Sequence, residues 1–125
     1  MSSQFYFYTG ILSALYAGFA GLRYYSLSGT QLVSASKAKK MIRSGEIKTV
    51  VDVRSKVEWD FGHYPGAVHI PVGSITKAKV DKLPNGGILT YCNTGQRARA
   101  GADKISSFGR EKVYYIDGTY RTIMT

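Results

Sequence analysis

One cysteine stands between an apolar run and a polar loop, and it is the side chain best suited to chemistry. Cys92 is the single cysteine of the 125-residue chain, and it follows the run Ile88–Tyr91. In parallel α/β sheets, ligands bind at the carboxyl ends of the strands, where such a residue would lie. A lone cysteine excludes an internal disulfide framework and a multi-cysteine zinc site. The two histidines are not clustered, so we expect no metal.

The loop after the cysteine has the composition of an anion-binding site. It consists of Asn93, Thr94, Gly95, Gln96 and Arg97. Such a loop can turn successive backbone N–H groups inward, and the next helix adds the positive end of its dipole. Both effects favour a thiolate, which is a nucleophile with a pocket for an anion beside it. The alternative is a buried, inert cysteine, because free cysteine is among the most buried residue types.

Apolar patterning places the cysteine within alternating strands and helices. Predicted strands cover Thr49–Val53, Ala67–Pro71, Ile88–Tyr91 and Val113–Ile116. Predicted helices run from Ser34 or Ser36 to Ser44 with Gly45 as stop, over Ser55–Phe61, over 74–83, and over Gln96–Phe108 with Gly109 as stop. This alternation predicts an α/β fold with a mostly parallel sheet.

Several polar residues near the cysteine are predicted to support the site rather than react. Asp52, at the end of the first central strand, is expected to accept hydrogen bonds that position the site. Arg54 is expected to pair with Glu58, four residues further on. We expect His63 and His69 to make structural hydrogen bonds. Trp59 is expected to pack on the domain.

Two long motifs resemble the signatures of the rhodanese domain. The first comprises Asp52-Val53-Arg54, Glu58-Trp59, Gly62-His63-Tyr64-Pro65-Gly66-Ala67 and Ile70-Pro71; the second is Cys92-Asn93-Thr94-Gly95-Gln96-Arg97, which resembles the active-site loop C-x-x-G-x-R. The stretch Val113–Gly118 is similar to the closing strand of that family. The resemblance covers about Leu32 to Ile123. Gly118-Thr119 departs from the usual Gly-Gly, and Ile123 stands where a tryptophan is common.

The resemblance implies a single rhodanese-like domain, with a parallel sheet flanked by helices on both faces. It implies a sulfurtransferase in which Cys92 takes a sulfane sulfur from an anionic donor such as thiosulfate and passes it to cyanide or a thiol. The N–H groups of residues 93–97 would hold the persulfide, and Arg97 would help to hold the donor. No cofactor is expected.

Two other functions compete with sulfur transfer. A catalytically quiet module that binds a partner at the membrane is one, although the presence of Cys92, Gly95 and Arg97 favours the enzyme. A phosphatase or arsenate reductase is the other, but these enzymes need a C-x5-R loop. Here residue 98 is alanine and Arg97 gives C-x4-R, a shorter loop that suits one sulfur atom.

The N-terminal region has the properties of a membrane anchor. Residues 1–22 carry no charged side chain, and as a helix they would span ~33 Å against a hydrocarbon core of ~30 Å. We therefore predict a transmembrane segment over 1–25 that meets lipid through residues 5–25, a linker with one edge strand over 26–33, and the domain over 34–125. The alternatives are a cleaved signal peptide, a mitochondrial transit peptide and a buried helix of a soluble domain. Residues 1–22 lack the positively charged side chains that are usual in the first two.

The basic residues orient the predicted anchor. The net charge is +9, and the first charged side chain is Arg23. By the positive-inside rule, we expect the chain to cross the membrane once, with its catalytic domain in the cytoplasm. The basic residues Lys37, Lys39, Lys40 and Arg43 suit anionic lipid, whereas no nucleic-acid-reading motif accompanies the charge. Small residues at Gly10, Ala14 and Gly18 have the spacing that allows a homodimer.

If residues 1–25 span the membrane, protease added to sealed cells should spare residues 26–125. Alkaline carbonate should leave the chain in the membrane fraction, because it removes peripheral proteins but not spanning helices. Release of the whole protein by carbonate, measured by immunoblotting of the two fractions, would contradict the anchor.

Overall fold

The computed structural model describes residues 29–125, which form a parallel sheet covered by helices on both faces. Its strands are β1 (Thr30–Leu32), β2 (Ile47–Asp52), β3 (Val68–His69), β4 (Gly87–Tyr91) and β5 (Val113–Tyr115). Its helices are α1 (Ala35–Ser44), α2 (Lys56–Phe61), α3 (Lys77–Asp81) and α4 (Gln96–Ser107), with 3₁₀ turns at Val72–Ser74 and Tyr120–Ile123. The strand order is β1-β5-β4-β2-β3, and every neighbouring pair is parallel.

The two faces of the sheet bury separate hydrophobic cores. Alternate residues of β2 point to opposite faces, so that Val50 packs under α1 while Val51 packs under α4. Ala38 and Met41 carry α1 into the first core; Ala102 and Ile105 carry α4 into the second. The predicted parallel sheet with helices on both faces is confirmed.

Local capping explains where two of the helices begin. The Ser34 side chain accepts a hydrogen bond from the N–H of Lys37, and Gly45 ends α1 in the left-handed conformation with φ 85°. Helix α2 begins with a capping box, in which the Ser55 side chain accepts from the N–H of Glu58 and the Glu58 side chain accepts from the N–H of Ser55. Ser34 rather than Ser36 is therefore the cap of α1.

The predicted helix over 74–83 is wrong in its extent. The chain forms the 3₁₀ turn Val72–Ser74, then extended backbone at Ile75, and only then α3. The Thr76 hydroxyl accepts from the N–H of Lys79 and so starts a new helix. Burial of Ile75, which is 5% exposed, holds the break in place.

The ends of the domain are completed by short elements. The edge strand expected before the first helix is present as β1, which pairs with β5. Strand β3 is shorter than the predicted Ala67–Pro71. Ile123, which stands where the family commonly has tryptophan, is 1% exposed and packs in the same core as α1.

The predicted membrane anchor over residues 1–25, including Gly10, Ala14 and Gly18, lies outside the described residues. Within residues 29–125, no helix is long and apolar enough to cross a membrane. The anchor and the homodimer therefore stay predictions.

Candidate active site

Cys92 lies at the carboxyl end of β4, beneath the loop that leads into α4. The residue is 1% exposed. Its Sγ accepts hydrogen bonds from the N–H of Gly95 at 3.2 Å and from the N–H of Ala98 at 3.3 Å. The sequence predicts donors among residues 93–97, so Gly95 is anticipated and Ala98 is not. Ala98 is the third residue of α4, and the first N–H groups of a helix have no intrahelical acceptor, which is the signal that could have found it.

Glycine is required at position 95 for two reasons. Its φ of 96° lies in the left-handed region, and a Cβ there would come within 2.9 Å of the Asp117 backbone after β5. The tight turn at Gly95 starts α4, and the N–H groups of Gln96 and Arg97 have no acceptor within residues 29–125. N–H groups without an acceptor at the start of a helix are suited to hold an anion.

The first turn of α4 is fixed from below by a buried threonine. The Thr90 hydroxyl donates to the carbonyl oxygen of Ala98 at 2.7 Å. The backbone of Ala98 therefore links the helix to two other parts of the site. Its N–H donates to Cys92 Sγ, and its carbonyl oxygen accepts from Thr90 in β4. The sulfur keeps its two donors because the helix cannot slide along the strand without breaking this bond.

Asp52 and Arg54 form a buried ion pair, which corrects the expected pairing of Arg54 with Glu58. Arg54 does not pair with Glu58; its Nη2 lies 2.7 Å from Asp52 Oδ2, and Asp52 is fully buried. Arg54 Nη2 also donates to the carbonyl of Gly62 at 2.6 Å. Asp52 accepts hydrogen bonds from Arg54, a partner that the helical i, i+4 spacing did not indicate, and its role in positioning the site stays a prediction.

Tyr91 connects this ion pair to Cys92, the next residue of the chain. The register of β2 and β4 places Asp52 opposite Tyr91, and the Tyr91 hydroxyl donates to Asp52 Oδ2 at 2.5 Å. Burial, reinforced by the hydrogen bond to Asp52, raises the pKa of Tyr91, so the hydroxyl remains a donor. The Arg54 guanidinium lies over the rings of Tyr91 and Tyr120, at 5.4 and 5.3 Å from their centroids.

Glu58 binds two side chains of the loop that follows Cys92, a role that the sequence does not indicate. Its Oε1 lies 2.7 Å from Arg97 Nη1 and its Oε2 lies 3.0 Å from Arg97 Nη2. Asn93 Nδ2 donates to the same Oε2 at 2.9 Å. The hydrogen bonds from Arg97, and then that from the Ser55 N–H, lower the pKa of Glu58, and the Glu58 carboxylate raises the pKa of Arg97. Arg97, predicted to hold an anionic donor, is therefore already bound to a carboxylate.

The two histidines contribute structure, as predicted. Nδ1 of His63 lies 2.9 Å from the Trp59 carbonyl oxygen, and Nε2 of His69 lies 2.8 Å from the Arg54 carbonyl oxygen. Both rings stack on the Trp59 indole, with centroids 3.4 and 4.7 Å away. Trp59 thus packs on the domain and joins α2 to the segment that leads into β3.

The chain is similar in sequence and in structure to known proteins. Residues 34–124 match the family described as Rhodanese-like domain. The chain is 32% identical over 81 residues to YrkF of Bacillus subtilis, whose name describes a sulfur carrier protein. It is 28% identical over 88 residues to MoeZ of Mycobacterium tuberculosis, named as an adenylyltransferase/sulfurtransferase.

The coverage of these relatives is unequal. The matches take in 65% and 69% of this chain but only 44% of YrkF and 22% of MoeZ. Among solved structures, the human single-domain sulfurtransferase TSTD1 is similar with a TM-score of 0.60 and 22% identity. That match covers 73% of this chain and 92% of TSTD1. It is a likeness of fold.

The Glu58–Arg97 pair predicts a pH-dependent contribution to stability. Because the pKa of Glu58 is lower in the folded chain than its unfolded value of about 4.3, the contribution is complete above that value. It is lost as the pH falls and the carboxylate takes up a proton. The free energy of unfolding of the wild type minus that of Glu58→Gln, from urea titrations, should therefore decrease below about pH 5. A difference that stays constant from neutral pH to the acid limit would contradict this assignment.

Proposed function

Because this chain belongs to the rhodanese-like domain family, we propose that it is a sulfurtransferase that carries a sulfane sulfur on Cys92. The observation that supports this most directly is the sulfur itself. It lies at the carboxyl end of a central strand, and two backbone N–H groups donate to it at 3.2 and 3.3 Å. Backbone donors aimed at a sulfur are the partners that an anionic nucleophile requires.

The proposed reaction has two half-reactions without net oxidation. The Cys92 thiolate attacks the sulfane sulfur of a donor such as thiosulfate; the bond from Sγ to that sulfur forms, the donor's S–S bond breaks, and its electron pair leaves with sulfite. Cyanide or a thiolate then attacks the outer sulfur. With cyanide, the C–S bond of thiocyanate forms, and the electron pair of the broken S–S bond returns to Cys92.

In this scheme the protein's groups hold the sulfur atoms in place and transfer no protons. The N–H groups of Gly95 and Ala98 hold Sγ. The other N–H groups of residues 93–97 have no acceptor within residues 29–125, and in this scheme they are the donors available to the outer sulfur of a persulfide. Cys92 is 1% exposed, so in this scheme the donor presents its terminal sulfur atom to Sγ. No side chain acts as a general base in this scheme.

The phosphatase alternative is less well supported than sulfur transfer. A phosphoryl group brings three further oxygens, and the C-x4-R loop between Cys92 and Arg97 is one residue shorter than the loop those enzymes use. In addition, the Arg97 guanidinium already binds Glu58 in a bidentate manner. A second, doubly charged oxyanion at this position would meet the Glu58 carboxylate at close range.

We extend the proposal to the membrane on the basis of the sequence alone. The uncharged residues 1–22, followed by Arg23 and the basic residues of α1, favour a single-pass anchor with the domain facing the cytoplasm. An anchored domain would receive and pass on sulfur at the membrane surface.

Cys92→Ser is expected to reduce thiosulfate:cyanide sulfur transfer, measured as thiocyanate formation, to the uncatalysed rate. A hydroxyl cannot form the persulfide, but it is close in size and keeps the loop intact, which an unchanged circular dichroism spectrum would show. Thiocyanate formation that persists in the folded variant would exclude Cys92 as the nucleophile. A wild-type chain that transfers no sulfur would instead favour the quiet, partner-binding module.

A further inference from the structure

The cationic side chains of the loop and of the segment that contacts it are each bound to a carboxylate. Within segments 52–62 and 92–97 the positive side chains are Arg54, Lys56 and Arg97. They pair one to one with Asp52, Asp60 and Glu58, at 2.7, 3.0 and 2.7 Å. These two segments therefore carry no net charge, although the whole chain carries +9.

The Glu58 pair is the one that matters for a ligand at the loop. Arg97 and Glu58 side chains are 38% and 30% exposed, whereas the Asp52–Arg54 pair is buried. Glu58 also accepts from the Asn93 amide, so it engages two polar side chains of the loop that could otherwise bind a sulfonate. An anion that approaches Arg97 from solvent must share it with an ionised carboxylate.

Resting on the proposed sulfur transfer, we infer that Glu58 determines donor selectivity. It makes the site favour sulfane-sulfur donors with a single negative charge, as organic persulfides and thiosulfonates have, over the dianion thiosulfate. The remaining attraction comes from backbone N–H groups at the start of α4, which suit one charge. Repulsion by Glu58 acts on the donor's second charge and has little effect on a neutral organic group.

The first half-reaction is the same for both classes of donor. With a thiosulfonate, the Cys92 thiolate attacks the terminal sulfur, the new S–S bond forms, and the electron pair of the donor's S–S bond leaves with a sulfinate. In a two-step reaction through a persulfide, kcat/KM for the donor depends only on the steps up to persulfide formation. The acceptor half-reaction therefore does not enter the comparison.

The chain offers a matched pair of variants. Glu58→Gln removes the charge while glutamine keeps the capping box with Ser55. Asp60→Asn makes the same change of net charge on the same helix, but Asp60 contacts the exposed Lys56 rather than the Cys92 loop. Comparison of the two separates a contact with the loop from a general change of surface charge.

The experiment measures kcat/KM for thiosulfate and for benzenethiosulfonate, with cyanide as acceptor, in the full chain and both variants. The ratio of thiosulfate to benzenethiosulfonate is expected to rise by about tenfold in Glu58→Gln, mainly through a lower KM for thiosulfate. It should change by less than about twofold in Asp60→Asn, because exposed pairs contribute little. The gain in Glu58→Gln should shrink as ionic strength rises, which a purely structural effect would not do.

The results distinguish a failure of the proposed sulfur transfer from a failure of the inference about Glu58. A wild-type chain that transfers sulfur from neither donor refutes the proposed function itself. Active wild type with an unchanged ratio in Glu58→Gln refutes the inference alone, as does an equal shift in Asp60→Asn. A parallel loss with both donors in Glu58→Gln would make Glu58 a support of the loop and not a determinant of selectivity.

Discussion

The buried carboxylate of Asp52 is the constraint around which the site is arranged. A fully buried acidic side chain needs partners for its oxygens, and here Arg54 and Tyr91 provide them. Removal of one partner from a buried ion pair typically costs about 3–5 kcal/mol, because the other charge is left without compensation. The residues that satisfy Asp52 are therefore fixed in place, and one of them immediately precedes Cys92.

From this pair the contacts extend to the segments before β3 and after β5. Arg54 binds the Gly62 carbonyl and lies over the Tyr120 ring, which joins the turn after α2 to the C-terminal 3₁₀ turn. The Tyr91 hydroxyl accepts from the N–H of Tyr64 at 3.0 Å. The loop itself is then held from two further sides, by Thr90 beneath α4 and by Glu58 at the rim. A nucleophile on a loop gains the rigidity of the sheet in this way.

The parts of the site that the sequence could predict are those that depend on local pattern. Position 92 follows from an apolar strand, and the turn at Gly95 follows from a glycine between a strand and a helix. Hydrogen bonds from this loop to the sulfur follow from helix-terminus physics, although Ala98 was missed because the prediction stopped at Arg97. The alternation of strands and helices likewise indicated the parallel sheet.

The pairing of charges could not be predicted in the same way. Glu58 and Arg54 are four residues apart, which suggested an ion pair within a helix, but Arg54 precedes α2 and lies in the buried turn after β2. Asp52 and Tyr91 meet only through the register of β2 with β4, and Glu58 meets Arg97 across 39 positions of sequence. Such contacts are set by the tertiary fold, and the local sequence around either residue does not indicate them.

The central claim is that the Cys92 sulfur accepts one further sulfur atom, and mass spectrometry of the intact chain tests it most directly. After incubation with a sulfane-sulfur donor and removal of the excess, the chain is expected to gain the mass of one sulfur atom, located by fragmentation at Cys92 and lost on addition of cyanide. A chain whose mass does not change with either thiosulfate or a thiosulfonate, or whose added sulfur lies elsewhere than Cys92, would contradict the account.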